Sequence, residues 1–401
     1  MRAHLIGCSD CGLVQVLPSV SADAVAECAR CGHGLARPAG RGIDMSLAFS
    51  AAALLLLLPT ALSPLMSLIS FSVQRRSWLP SGVEALWNDG FGPLATVVFL
   101  FSIAVPFIYL ALMVWVLGAL RLGIAVPLGK LFRWAGELRP WAMIEVYLVG
   151  CCVAYSRLQD IGTVHVNVGG WCLIAATCST LLAAISLDER AVWNALPSCA
   201  EPASSGRSIS CGACALLSDT VREDAACPRC GATLHRRKPD TMRRTLALVV
   251  AGYLLYLPAN LLPVLSIERF GREDPNTILS GVHELMSSGL WPLAAIVFTA
   301  SILVPLMKLF GLSLMLVMTR RRSRRWLVGR TRLFRFIDFV GRWSNIDLFM
   351  ISILVALVQF GALTRVRPEA GSLAFAAVVV ITMIASRCFD PRVMWDEADS
   401  T

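Results

Sequence analysis

Long apolar runs alternate with short polar connections along nearly the whole chain beyond residue 45. Eight runs approach the roughly 20 helical residues that cross a bilayer core. They cover about 46–71, 92–119, 142–159, 169–187, 245–267, 291–318, 344–363 and 372–387. None reads as a signal peptide, because the first begins behind a polar, Cys-rich head; the N-terminus is expected to stay on its side of synthesis.

The pattern repeats itself. Residues 81–110, SGVEALWNDGFGPLATVVFLFSIAVPFIYL, return at 280–309 as SGVHELMSSGLWPLAAIVFTASILVPLMKL, an offset of 199. The same offset takes Pro59 to Pro258, Pro64 to Pro263, Cys28 to Cys227 and Cys31 to Cys230. Past a three-residue insertion the offset becomes 202 and takes Trp141 to Trp343, Glu145 to Asp347, Asp188 to Asp390 and Trp193 to Trp395. Each half is therefore a Cys-rich head followed by four membrane helices. The expected architecture is an all-α polytopic membrane protein. Its parts are a first head (1–42), a four-helix module (43–195), a linker with the second head (196–240), and a second module with a short tail (241–401). Four is even, so both modules insert with the same polarity, as a parallel repeat. Two like bundles side by side would share an interface or cleft.

Composition agrees. Of 401 residues 56% are hydrophobic and only 16% charged, against roughly 25% charged in soluble domains. That excludes disordered, collagen-like and plain soluble classes. The net charge of +9 is unevenly placed. With a cytoplasmic N-terminus, 28 Lys and Arg fall in inside segments and six in outside loops, which predicts that both termini and both heads are cytoplasmic. The densest block, five Arg in Arg320–Arg325, reads as a topology anchor beside anionic headgroups. No aromatic-interleaved module surrounds it, so nucleic acid is not an expected partner.

The heads carry the chemistry. Cys8-x2-Cys11 is followed by Cys28-x2-Cys31, and Cys211-x2-Cys214 by Cys227-x2-Cys230. Two paired thiolates on tight turns meet at a tetrahedral ion, the geometry of a zinc ribbon. Gly12, Gly32 and Gly231 each follow the second Cys of a pair, where positive φ turns an amide toward sulfur. Two structural zinc sites are expected; iron in a rubredoxin-like site and a redox dithiol are the alternatives. A reducing cytoplasm would keep these thiols free for metal. Cys151, Cys152, Cys172 and Cys178 lie in helices as small apolar residues, and Cys199 and Cys388 are isolated.

Several polar residues sit within the apolar runs. Lys308 lies ten residues before the inner end of its helix, about 15 Å deep, and should face a cavity or partner. Its repeat mate is Tyr109. Glu145 and Asp347 each follow a Trp by four residues and read most simply as interfacial carboxylates near helix N-termini. Arg157 and Asp160 are placed to pair or snorkel. Asn260, with Ser301 and Thr299, would line a small polar pocket or serve as packing glue. Two prolines in the first helix of each half, Pro59 and Pro64, Pro258 and Pro263, with Pro106 and Pro305 in the second helices, predict bends. Lys308, Asn260, Ser301, Asp347 and Glu145 are the candidates for a lipid or proton pathway. No P-loop, G-x-S-x-G, H-E-x-x-H or dinucleotide fingerprint occurs, so an enzyme is not expected.

Tandem C-x2-C heads before four-helix modules resemble the paraquat-inducible protein A (PqiA/LetA-like) family. The resemblance is carried by Pro258-Ala259-Asn260-Leu261-Leu262-Pro263, Ser280-Gly281-Val282, Gly341-Arg342-Trp343-Ser344 with Asp347, and Phe389-Asp390-Pro391-Arg392 with Trp395. The first half departs from it at Ala61, Arg139-Pro140 and Glu189. The resemblance implies tetraspanin-like modules in a Gram-negative inner membrane. It also implies a role loading or unloading phospholipid at a periplasmic MCE-domain tunnel, the partner, in support of envelope integrity. The alternative is a non-transporting scaffold that anchors the tunnel and recruits cytoplasmic factors through its zinc ribbons.

Overall fold

The computed structural model describes residues 5–16, 25–36, 42–70, 73–124, 127–159, 162–196, 209–218, 224–269, 272–359 and 364–396. The first head is two hairpins, β1 (Leu5–Gly7) with β2 (Val14–Val16) and β3 (Ala26–Glu27) with β4 (Gly34–Ala36). The chain then enters α1 (Gly42–Leu62), crosses to the far side, and makes β5 (Met66–Ser70), β6 (Val73–Ser77) and α2 (Ser81–Asn88). It returns through α3 (Gly92–Phe99), a π turn and α4 (Val105–Leu122), and runs through α5 (Leu128–Leu138) on the ribbon side. It crosses again as α6 (Ile144–Leu158), β7 (Thr163–Val166) and α7 (Val168–Ser186), ending in α8 (Glu189–Ala195).

The second half follows the same route. Hairpin β8 (Ile209–Ser210) with β9 (Leu217–Ser218) and the bridge between Ala226 and Thr233 form its ribbon. Then come α9 (Thr241–Leu261), β10 (Leu265–Arg269), β11 (Arg272–Asn276), α10 (Ile278–Ser287) and α11 (Trp291–Phe298). After a second π turn follow α12 (Val304–Arg320), α13 (Leu327–Val340), α14 (Ile346–Leu357), β12 (Thr364–Pro368) and α15 (Ala370–Cys388). The chain is a multi-pass membrane protein with eight segments long and apolar enough to span a bilayer among the described residues.

Hydropathy announced the helices but not the far-side caps. Antiparallel sheets β6-β5-β7 and β11-β10-β12 close that end of each module. Only Pro59 and Pro258 lie within the first helices; Pro64 and Pro263 stand past the last helical residue and lead into the strands, which corrects the two-proline expectation. The seventh span also ends early, at Leu357 rather than near 363. Every residue of α14 from Ile346 to Val355 is buried in protein, where irregular backbone is tolerated because lipid does not touch it.

The π turns Leu100–Ala104 and Thr299–Leu303 precede Pro106 and Pro305. Proline has no N–H and its ring crowds the preceding turn, so a widened turn relieves the clash. The carbonyls near the break find other donors. Met143 N donates to Phe101 O at 3.3 Å, and Tyr256 Oη donates to Ile302 O at 3.4 Å.

The modules meet along α6 and α14. The repeat mates Tyr147 and Phe349 pack edge to face across this seam, centroids 5.3 Å apart. Gly150 lies where a Cβ would approach Phe349 Cβ to 2.9 Å, so only glycine fits there. Arg365 reaches Asp89 at 2.7 Å on the far side, and Asn345 Nδ2 meets Met143 Sδ at 3.1 Å nearer the ribbons.

Candidate functional site: two thiolate cages and a polar interior

In each ribbon four sulfur atoms lie within 4.8 Å of one another, and all eight cysteines are buried. Cys8 to Cys31 is 3.6 Å, Cys11 to Cys28 3.5 Å, Cys211 to Cys230 3.5 Å and Cys214 to Cys227 3.6 Å. A tetrahedron with metal–sulfur bonds of 2.3 Å has edges of about 3.8 Å, so both cages fit a four-coordinate ion with no open position. The knuckles explain the closeness. Cys8 N donates to Leu13 O and Gly12 N to Cys8 O, with Gly12 at φ 76°. The other turns repeat this, except that Ala215 holds positive φ (55°) where glycine was the pattern. Among the described residues every cysteine is free of disulfides. Cys199 and Asp160 lie outside the described residues, so neither expectation about them is tested.

Beside the first cage, Asp10 meets His33 at 3.1 Å and Arg335 at 2.5 Å. Burial alone would raise the Asp10 carboxyl, but the hydrogen bonds and charge of His33 and Arg335 hold it at about 2, and Asp10 in turn raises His33. Arg335 also approaches Cys31 Sγ at 3.3 Å. That contact crosses the molecule. The first ribbon packs with Leu309, Leu312, Ile337 and Trp395 of the second module, while the second ribbon packs with Leu128, Phe132 and Trp193 of the first. Two repeat-mate pairs carry the exchange: Arg30 stacks on Trp395 and Arg229 on Trp193. Gly129 allows the second contact, since a Cβ there would meet Arg229 O at 2.1 Å. The ribbons also touch each other, Gly7 against Ser210. Sequence reasoning missed the exchange, although both Arg30/Arg229 (offset 199) and Trp193/Trp395 (offset 202) are repeat mates.

The second module has a polar interior in two layers. In the first layer the Lys308 Nζ donates to Gly341 O at 3.0 Å and approaches Thr382 Oγ1 at 3.4 Å. Lys308 is 1% exposed and makes no ion pair among the described residues. Gly341 is required for this fit: a Cβ there would sit 2.2 Å from Lys308 Cε. In the second layer Ser301 Oγ bonds to Val297 O and to Asp347 Oδ2. Asp347 is buried, and its other oxygen has no hydrogen-bond partner in the described structure. The interfacial reading of Asp347 is thereby corrected: its helix is ringed by protein and carries it inside.

Other expectations separate as well. Asn260 does not join Ser301; its amide donates to Tyr256 O in its own helix at 2.9 Å. Glu145, the mate of Asp347, has a buried oxygen without a hydrogen-bond partner, and Ser102, the mate of Ser301, bonds only to Val98 O among the described residues. The first half thus lacks the Ser–Asp contact. Arg157 reaches across to the second module, donating to Gly281 O at 3.0 Å with Glu284 3.6 Å away.

Two cavities approach the layers from opposite ends. A far-side cavity of about 120 Å³ has Arg157, Glu284, Asn276 and the buried Asp347 among its lining, with apolar walls from Met350 and Leu354. A ribbon-side cavity of about 320 Å³ is lined by Asp10, Asp338, Arg342 and Arg387 and reaches Lys308. Ser301 and Lys308 are seven residues apart, about 10 Å along the helix.

Comparison with known proteins agrees with the architecture. The family model described as paraquat-inducible protein A matches residues 43–197 and 242–399. The chain is 32% identical to the intermembrane transport protein PqiA of Escherichia coli K12, over 98% of this chain and 95% of that protein. It is 29% identical to a probable intermembrane transport protein of Haemophilus influenzae, over 98% and 95%. A 29% identity also links it to the lipophilic envelope-spanning tunnel protein A of E. coli K12, over 98% and 91%. No solved structure matches.

Proposed function

The chain belongs to the paraquat-inducible protein A family, and from that premise we propose that it is an inner-membrane subunit of an intermembrane phospholipid transport system. It would load lipid into, or unload it from, a periplasmic MCE-domain tunnel. Relatives named for intermembrane transport and for an envelope-spanning tunnel support this reading. The 28-to-6 distribution of Lys and Arg supports placing the ribbons in the cytoplasm. Zinc is the favoured ion, held by Cys8, Cys11, Cys28 and Cys31 in one ribbon and Cys211, Cys214, Cys227 and Cys230 in the other. Its contribution is structural, since four thiolates leave no position for substrate.

One observation carries the transport reading: cavities entering from opposite ends of the same module stop at charged side chains about two helical turns apart. Buried charge inside a membrane protein is costly and marks a pathway. The far-side cavity holds a headgroup-sized moiety, with Arg157 and Glu284 near a phosphate and an amine. Lys308, bonded to a carbonyl and a hydroxyl, exchanges a proton or an anion with the ribbon-side cavity. The scaffold reading is weakened because both ribbons are docked against membrane modules and each other.

Reconstitution with an MCE-domain partner in liposomes tests the proposal. Photoactivatable phospholipid should crosslink inside the second module, near Met350 and Leu354. Crosslinks confined to the outer perimeter, with no lipid transfer, would leave the scaffold.

A further inference from the structure

We propose that the ribbon-side cavity of the first module, which shares the Arg387 wall with the Lys308 cavity, is a binding site for a phosphate-bearing amphiphile. This cavity, of about 530 Å³, lies between α5, α8, the second ribbon and the end of α15. It is the repeat mate of the Lys308 cavity: Tyr109 replaces Lys308, Phe132 replaces Phe334, and Arg133 replaces Arg335. The two have diverged in a way that suits different tasks. Tyr109, Met113 and Phe132 give the first an apolar, uncharged inner wall, so no buried charge continues into the membrane interior from it.

Its outer part is cationic. Two of its arginines are already engaged, Arg139 with Glu189 at 2.7 Å and Arg392 with Asp390 at 3.0 Å. The Lys238 ammonium is spent on the Arg387 and Phe389 carbonyls. The remaining two are under-used. Arg335 bonds Asp10 of the ribbon docked on its module, but Arg133 faces Ala213 at the matching place in the second ribbon; it has only a long 3.6 Å contact to Glu137, and its Nε is buried without a hydrogen-bond partner among the described residues. Arg387, half-buried at the other wall, makes no hydrogen bond or ion pair from its side chain among the described residues. Guanidinium forks match the oxygens of a phosphate ester, and the aromatic inner wall takes an apolar continuation. The ligand chemistry is therefore an anionic phosphate next to an apolar body. A phospholipid of the adjoining leaflet and a soluble phosphate ester share the phosphate.

Binding is read on the full chain in phosphatidylcholine nanodiscs doped with phosphatidylglycerol, counting retained anionic lipid by native mass spectrometry. A second arm offers soluble glycerol 3-phosphate. Selective retention of phosphatidylglycerol is expected, weakened about tenfold in the Arg133→Gln/Arg387→Gln double variant, as losing charge-assisted hydrogen bonds requires. Glycerol 3-phosphate binding alone, with the same dependence on both arginines, would support the site and assign it to a soluble ester. Glu137→Gln frees Arg133 and should tighten retention, which a merely misfolded variant cannot do. Retention unchanged in the double variant, no tightening in Glu137→Gln, or binding of neither probe would overturn the proposal. None of these readouts depends on lipid transfer, so the site fails or stands separately from the transport reading.

Discussion

The Arg30 guanidinium lies 4.5 Å from the ring centroid of Trp395, so the head that begins the chain is stacked on the last turn of the half that ends it. Trp395 is 4% exposed and its indole N–H donates to Thr331 Oγ1 at 3.2 Å. One side chain thus ties α13, the chain's tail and the first ribbon together. Trp395→Ala should cost about 3–5 kcal/mol, the range for deleting a buried aromatic, measured as a lowered unfolding temperature in detergent. Arg30→Ala should cost only about 1 kcal/mol, the cation–π share.

Removing one metal should be felt in the opposite half. Cys8→Ser/Cys11→Ser should halve the bound zinc and raise hydrogen exchange in α12 and α13, which pack on that ribbon, while α5 and α8 stay protected. Exchange rising first in the adjoining first module would contradict the crossed docking.

Lys308→Met, near in volume, should abolish lipid transfer while insertion and abundance remain normal. Gly341→Ala leaves the lysine present but drives a Cβ to within 2.2 Å of its stem. It should reproduce the transport loss at a stability cost of about 1–3 kcal/mol, typical of overpacking. Transfer at the normal rate in both variants would remove this layer from the mechanism.

Asp347→Asn keeps an acceptor for Ser301 but discards a buried charge, one of whose oxygens lacks a hydrogen-bond partner. The variant should unfold at a higher temperature and lose transport. Glu145→Gln, in the half without the serine contact, should leave transport largely intact. Equal losses in a vesicle transfer assay would mean both halves work alike.

Asp390 caps the final turn through Arg392 N and receives Lys238 N at 3.1 Å. Burial pushes its carboxyl up, but the Arg392 side chain and these amides prevail and hold it below the usual carboxylate range. Its contribution is therefore present above the unfolded carboxylate value, about 3.9, and fades as pH falls through the lower folded value. Asp390→Asn should lower the unfolding temperature at pH 7, and the gap to the unsubstituted protein should close toward pH 3.

Much of this was legible in one sequence because the governing physics is local or repetitive. Cysteine spacing defines a cage, apolar length defines a span, and a 199-residue offset defines two like halves. What escaped depends on contacts between distant segments. Asn260 and Ser301 looked like partners on neighbouring helices, yet Asn260 turns to its own backbone. Asp347 looked interfacial from the Trp four residues before it. Nothing in its neighbours reveals that α14 is enclosed by the other module. Arg157 also reaches Gly281 and Glu284, over 120 positions away, which no local pattern around it announces. The far-side strands are short, and β5 and the start of β10 fall inside the apolar runs 46–71 and 245–267, where hydropathy alone reads them as more helix.

The exchanged heads bear on ancestry. A lone half carrying its own cap would leave that cap without its seat and its bundle bare, whereas two copies could each lend a cap to the other. The present chain has the form of a swapped homodimer written as one polypeptide. In a single chain each half need not match its twin, so a tyrosine can stand at 109 while a lysine occupies 308.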